Sequence, residues 1–158
     1  MRRVVITGMG IVSSLGTNQD EVTRSLRESI PGIGFSQEAK DNGLRSHVCG
    51  QIDLNLPELI DRKLMRFMCP ASGYTYLAMK EAIEQAGLTE EHIRANSTGV
   101  ITGAGGASTV ELMDAIDTHR EKGIRRVGPY RVPRTMGSAI NATLSTAFGI
   151  TGINYGIT

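Results

Sequence analysis

Two cysteines, Cys49 and Cys69, and three histidines, His47, His92 and His119, are the groups in this 158-residue sequence best suited to nucleophilic or proton-transfer chemistry. They do not fall into a pattern that performs either. A nucleophilic thiol needs a base or a helix N-terminus to make it a thiolate. His47 has no partner at catalytic spacing and reads as a surface histidine. No Cys-x-x-Cys pair and no Cys/His cluster has the spacing of a metal site. No catalytic residue, metal or cofactor is therefore expected.

Glycine-rich turns are the second kind of chemistry-bearing feature. The opening RRVVITGMG places Gly8 and Gly10 after a β-branched run, Val4 to Thr7, which predicts a buried strand feeding a turn. A dinucleotide site of the short-chain dehydrogenase kind would need further glycines where Val12 and Ser14 stand, and those side chains would hold the backbone off a pyrophosphate. A nucleotide-dependent oxidoreductase is thus a distant alternative. The second turn, AGGAS after the strand-like TGVITG, carries Gly103, Gly105 and Gly106 but no Gly-Lys-Ser/Thr, so it is not a phosphate-binding P-loop.

Charge is the third. The net charge of +1 hides an asymmetry: residues 1–121 carry 12 basic and 16 acidic groups, net −4, and residues 122–158 carry only Lys122, Arg125, Arg126, Arg131 and Arg134, net +5. Arg62, Lys63 and Arg66 fall at i, i+1 and i+4, on one side of a helical turn, with Leu64, Phe67 and Met68 free to face inward. Taken alone, both clusters read as solvated faces or as docks for an acidic partner. Neither half is basic enough to favour nucleic acid. Arg2 and Arg3 mimic the start of a signal peptide, but Thr7, Gly8, Gly10, Ser13 and Ser14 interrupt the apolar run and no cleavage pattern follows. No stretch has the apolar length of a membrane span, and two isolated thiols suit a reducing cytoplasm.

The elements that would position these groups can be read from caps and breakers. Asn18 or Asp20 caps a helix to about Glu28, with Val22 and Leu26 inward, and Pro31-Gly32 breaks it. Gly34 to Leu44 is expected to be irregular, and Arg45 to Ile52 an edge strand. Pro57 suits a helix start, and Pro70 forces a break or kink. Ala71 to Ala86 is a long, mostly buried helix with Tyr74, Leu77, Ala78, Ile83 and Ala86 on one face, stopped by Gly87. Thr89 begins a short turn, Thr98 to Gly103 is a second buried strand, and Ser108 caps a helix to about Glu121. Thr135 to Phe148 is helical, Gly149 to Gly152 a turn, and Ile153 to Thr158 extended. Nineteen glycines and seven Phe or Tyr without Trp point to tight turns and close backbone approaches. At this length one domain, residues 1–158, is expected.

Several segments in order, RRVVITGMG, DRKLMRFM, the AGGAS turn, VGPYRVPRTMGSAINATLSTAFGI and GINYGIT, resemble the β-ketoacyl-acyl carrier protein synthases, over essentially the whole chain from Arg3 to Thr158. The resemblance implies an α/β thiolase-like fold, of which this would be part of the N-terminal half, a mixed sheet covered by helices. It implies decarboxylative condensation of an acyl thioester with malonyl-acyl carrier protein in fatty-acid synthesis, by a cysteine, two histidines and an oxyanion hole. GINYGIT matches the strand that delivers the nucleophile, which would lie about three residues past Thr158, with the histidines later still. Cys69 before Pro70 departs from the polar pair expected there.

By the same resemblance, Gly106, Ala107, Thr135 and Met136 line an acyl pocket, Met136 as an adaptable apolar wall. Arg62, Lys63 and Arg66, with Lys122, Arg125 and Arg126, would receive the acidic acyl carrier protein. VGPYRVPRTMGSAINATLSTAFGI matches a segment packed at a homodimer interface. The sequence is therefore expected to supply an incomplete N-terminal synthase domain, inactive alone and prone to aggregate through uncovered strand edges. A non-catalytic carrier-binding or dimerisation module is the alternative.

Overall fold

The computed structural model describes residues 3–158. In chain order the elements are α1 (Gln19–Arg27), β1 (Ile33–Phe35), α2 (Gln37–Asp41), β2 (Val48–Gly50), α3 (Leu56–Leu59), α4 (Arg62–Met65) and α5 (Pro70–Gln85). They continue with α6 (Glu90–Arg94), β3 (Val100–Gly103), α7 (Thr109–Lys122), α8 (Ile124–Val127), α9 (Arg131–Thr135), α10 (Ala139–Phe148) and β4 (Asn154–Ile157). Two compact units result: Met1–Asn55 with Leu77–Gly87, and Leu56–Tyr76 with Leu88–Thr158. Arg2, half of the opening basic pair, lies outside the described residues.

In the first unit the opening run is not the buried strand that its β-branched residues predict. Val4 is 91% and Ile6 83% exposed, and the run pairs with no strand among the described residues. The segment that follows it bonds to side chains of α5: Met9 N–H to Gln85 Oε1 at 2.7 Å and Ile11 N–H to Glu81 Oε2 at 3.0 Å. The two glycines serve this packing. A Cβ on Gly8 would fall 2.2 Å from the Ala82 carbonyl oxygen, and one on Gly10 1.8 Å from that of Ala78. Only glycine lets the segment lie against the alanine ridge of the helix.

Glu81 Oε1 also accepts the N–H of Gln19 at 2.8 Å, tying α1 to the same helix. Asn18 caps α1 by accepting from Glu21 N–H at 2.9 Å. Val22 is buried, but Leu26 is 65% exposed, and Ser25 takes the inner position, donating to the Leu15 carbonyl at 2.7 Å. The region from Gly34 is not irregular: β1 and β2 pair antiparallel, Ile33 opposite Gly50 and Phe35 opposite Val48. Ser36 then caps α2 through Ala39 N–H. Strands of three residues are too short to display an alternation.

In the second unit Pro70 marks a break and not a kink: α4 ends at Met65 and Pro70 opens α5, where its missing N–H has no partner to lose. Ser72 and Gly73 are buried, and a Cβ on Gly73 would meet Leu56 Cδ1 at 2.7 Å. Met68 and Leu144 are fully buried, and Tyr76 stacks on Phe148 with centroids 5.1 Å apart. β3 and β4 pair in parallel, Val100 opposite Asn154 through Gly103 opposite Ile157. Of the strand expected over Thr98 to Gly103, Val100–Gly103 forms, and of these residues only Val100 is buried while Ile101 is 69% exposed.

Ser108 caps α7 through Glu111 N–H at 3.4 Å. The helix expected over Thr135 to Phe148 is two: α9 ends at Thr135 and α10 begins at Ala139, because Met136 turns extended after α9. Gly149, at φ 69°, closes α10 in the left-handed conformation. The strands form two separate two-stranded sheets, one antiparallel and one parallel. No helix among the described residues is long and apolar enough to cross a membrane.

Candidate functional site

A cavity of about 510 Å³ opens in the second unit where the first turns of α5 face the glycine-rich loop after β3. Pro70, Ala71 and Tyr74 supply one wall, Gly103 to Val110 another, and Met136, Gly137 and Ile140 a third. Gly106, Ala107 and Met136 therefore meet on one space. Thr135 does not line it; its hydroxyl turns back to the Val132 carbonyl at 3.0 Å within α9. A Cβ on Gly105 or Gly106 would meet nothing within 4 Å. These glycines leave the space open; nothing in the backbone packing demands them.

Sequence reasoning did not place Cys69 at this cavity. It is 4% exposed, lines the wall, and its sulfur lies 3.3 Å from the Ser72 hydroxyl. Its position immediately before Pro70 is the signal that could have found it, since Pro70 starts the helix whose first turn forms the wall. A second, smaller cavity of about 220 Å³ is bounded by Leu64, Phe67, Met68, Pro133, Ala142, Thr143 and Thr146.

The basic residues divide into two kinds. Arg62 and Lys63 lie in α4, and Arg66 caps it with its guanidinium 5.7 Å from the Tyr130 ring centroid. Lys122 ends α7, and Arg125 and Arg126 lie in α8. None of these six forms an ion pair among the described residues. Arg131 and Arg134, which the sequence grouped with them, are engaged internally. Arg131 bonds Glu111 at 2.6 Å and pairs with Asp114, while Arg134 reaches Glu111 at 3.5 Å and the Met65 and Arg66 carbonyls. Burial alone would lower the Arg131 pKa, but the Glu111 and Asp114 carboxylates outweigh it and hold it above the ordinary arginine value. The α4 segment and the residues around α9 meet through Arg134 and through the edge contact of Phe67 with Tyr130, 5.2 Å between centroids.

The histidines stay apart. His47 is half-buried with its ring 6.3 Å from that of Phe35, His92 completes the Thr89 capping box of α6, and His119 is exposed in the last turn of α7. Cys49 is exposed in β2. No group of three His, Cys, Asp or Glu among the described residues could hold a metal.

The model of the β-ketoacyl synthase N-terminal domain matches residues 1–158. The chain is 50% identical over 159 residues to 3-oxoacyl-[acyl-carrier-protein] synthase 1 of Escherichia coli K12, covering 99% of this chain and 39% of that one. It is 47% identical over 156 residues to the synthase of the same name from Haemophilus influenzae, covering 98% and 38%. Among solved structures, the ishigamide ketosynthase/chain length factor superposes with a TM-score of 0.85 at 23% identity, over 99% of this chain and 40% of that one. A type II polyketide acyl-carrier protein in complex with its ketosynthase bound to the hexaketide gives 0.75 at 19% identity, over 96% and 41%. The fold is that of the ketosynthases, the thiolase-like fold. The chain spans about 39% of the length of the curated relatives it matches, and it belongs to the β-ketoacyl synthase family by its match to that family's N-terminal domain.

Proposed function

We propose that this chain is the N-terminal portion of a 3-oxoacyl-[acyl-carrier-protein] synthase, which elongates fatty acids by condensing an acyl thioester with malonyl-acyl carrier protein. The observation that carries the reading is the 50% identity with a synthase of that name over 99% of the chain. The geometry agrees with a division of labour. Gly106, Ala107 and Met136 give an acyl chain a wall of small and flexible apolar groups. Arg62, Lys63, Arg66, Lys122, Arg125 and Arg126, which form no ion pair among the described residues, present cations to an acidic carrier protein, accelerating encounter more than fixing affinity. Thr135 adjoins this wall without reaching it. The nucleophilic cysteine and the two histidines are none of Cys49, Cys69, His47, His92 and His119. The assembled enzyme is a cytoplasmic homodimer in this reading.

A non-catalytic carrier-binding or dimerisation module is the competing reading, in which the carrier dock acts without the nucleophile. One experiment addresses both. The chain, incubated with acyl- and malonyl-carrier protein, is expected to bind carrier in a salt-sensitive way without condensing. Turnover by the chain alone would overturn the division of labour, and no carrier binding at low salt would overturn the dock. Restoration of turnover on adding the remaining length found in the relatives separates the synthase from the module.

A further inference from the structure

Arg134 does not face an external partner. Its Nε donates to the Arg66 carbonyl at 2.9 Å and its Nη2 to the Met65 carbonyl at 3.1 Å. Its Nη1 lies 3.5 Å from both carboxylate oxygens of Glu111 on α7. Both side chains are sheltered, Arg134 at 25% and Glu111 at 12% exposure. The receiving element needs such help. α4 has four residues, far fewer than a helix needs to persist in water on its own, and its Leu64 and Met65 carbonyls accept from the turn that follows, Phe67 N–H at 3.1 Å and Met68 N–H at 3.2 Å. Arg134 adds one planar fork that spans the Met65 and Arg66 carbonyls and ties this turn to α9. The residues α4 carries are Arg62 and Lys63, with Arg66 as its cap. Two residues beyond Arg134, Met136 lines the large cavity.

We propose that Arg134 is a positioning residue: its fork on the Met65 and Arg66 carbonyls, braced by Glu111, sets how Arg62, Lys63 and Arg66 are presented to an acidic carrier protein. The proposal rests on the carrier-docking reading above. It separates geometry from charge. Lysine at 134 keeps the charge but cannot fork across two carbonyls. Glutamine at 111 deletes a negative charge, which by long-range attraction alone strengthens the hold on an acidic partner. If Glu111 braces Arg134, the same change weakens that hold.

The test is titration of the 158-residue chain with acyl carrier protein at several salt concentrations, using wild type, Arg134→Lys, Glu111→Gln and Arg62→Gln. Arg134→Lys is expected to weaken binding about tenfold, the scale of one charge-assisted bond, with the salt slope unchanged. Arg62→Gln, a lost external cation, is expected to flatten that slope. Glu111→Gln is expected to weaken binding. Amide exchange at Phe67 and Met68, whose N–H groups bond Leu64 and Met65 carbonyls, should quicken in Arg134→Lys. Wild-type binding and exchange in Arg134→Lys, or tighter binding in Glu111→Gln, overturns the proposal while the Arg62 arm leaves the dock standing. If wild type itself fails to bind, the dock and the proposal fall together. If Arg134→Lys does not fold, the sign of the Glu111→Gln change decides alone.

Discussion

Replacing Gly156 with alanine puts a methyl group where Asn141 already is. The added Cβ would stand 2.4 Å from Asn141 Oδ1 and 3.0 Å from its Cγ. Asn141 has little room to withdraw: it is 8% exposed, and its Nδ2 donates to Asn154 Oδ1 at 2.7 Å. Asn154 in turn donates to the Ser145 hydroxyl at 2.8 Å, so the carboxamides clasp β4 to α10. Losing the first bond costs about 1 kcal/mol, and overpacking the site adds about 1–3 kcal/mol. Alanine recovers about 0.5–1 kcal/mol over glycine in a strand. The net is a loss of about 2 kcal/mol, or a melting-temperature drop of about 4–8 °C for a chain of this size.

The same geometry predicts a rescue. Asn141 Oδ1 is buried without a hydrogen-bond partner among the described residues, so Asn141→Ala removes an unpaired acceptor as well as the obstacle. In that background Gly156→Ala should be neutral or stabilising. The chain has no Trp, so far-UV circular dichroism through a urea or thermal transition is the suitable assay across the four-member cycle. A coupling energy below about 0.5 kcal/mol, the additivity expected of sites that do not touch, would refute the clash.

Two further outcomes are expected. The Thr17 N–H, and after it the Thr17 hydroxyl, hold the Glu21 carboxyl below its ordinary pKa; its contribution is therefore complete above the usual carboxylate range and is lost as pH falls through the lowered folded value. Glu21→Gln should flatten the decline of melting temperature in that acidic window, and identical profiles would contradict the assignment. At the cavity, Gly106→Phe meets no neighbouring atom within 4 Å of its Cβ and should change stability by no more than about 0.5 kcal/mol. In the assembled synthase it should shorten the longest acyl product, and an unaltered product profile would remove Gly106 from the pocket.

Caps and breakers were legible because they are local. Asn18, Thr89 and Ser108 cap the helices they announce, and Gly87 and Gly149 take positive φ at helix ends. Burial was much less so. Val4, Ile6 and Ile101 have the composition of core strand residues yet are exposed, since a β-branched run states a preference for a sheet without supplying one. The three-residue strand β1 is too brief to show in the sequence, whereas β2 falls inside the edge strand expected over Arg45 to Ile52. Of the pocket residues, Gly106, Ala107 and Met136 converge because loop and turn face the same helix, whereas Thr135 is drawn into α9 by its own hydroxyl. The five late basic residues look alike as charges in the sequence for a physical reason: only contacts reveal that Arg131 and Arg134 already have carboxylate partners.

The parallel pairing of β3 with β4 also sets an order of events during synthesis. Val100 lies opposite Asn154, more than fifty residues away, whereas Ile33 meets Gly50 across fewer than twenty. Loop closure grows costlier with length, so the short antiparallel pair can close early and the parallel one only late. A ribosome adding about 5–20 residues per second leaves Val100–Gly103 without its partner strand for roughly 3–10 seconds.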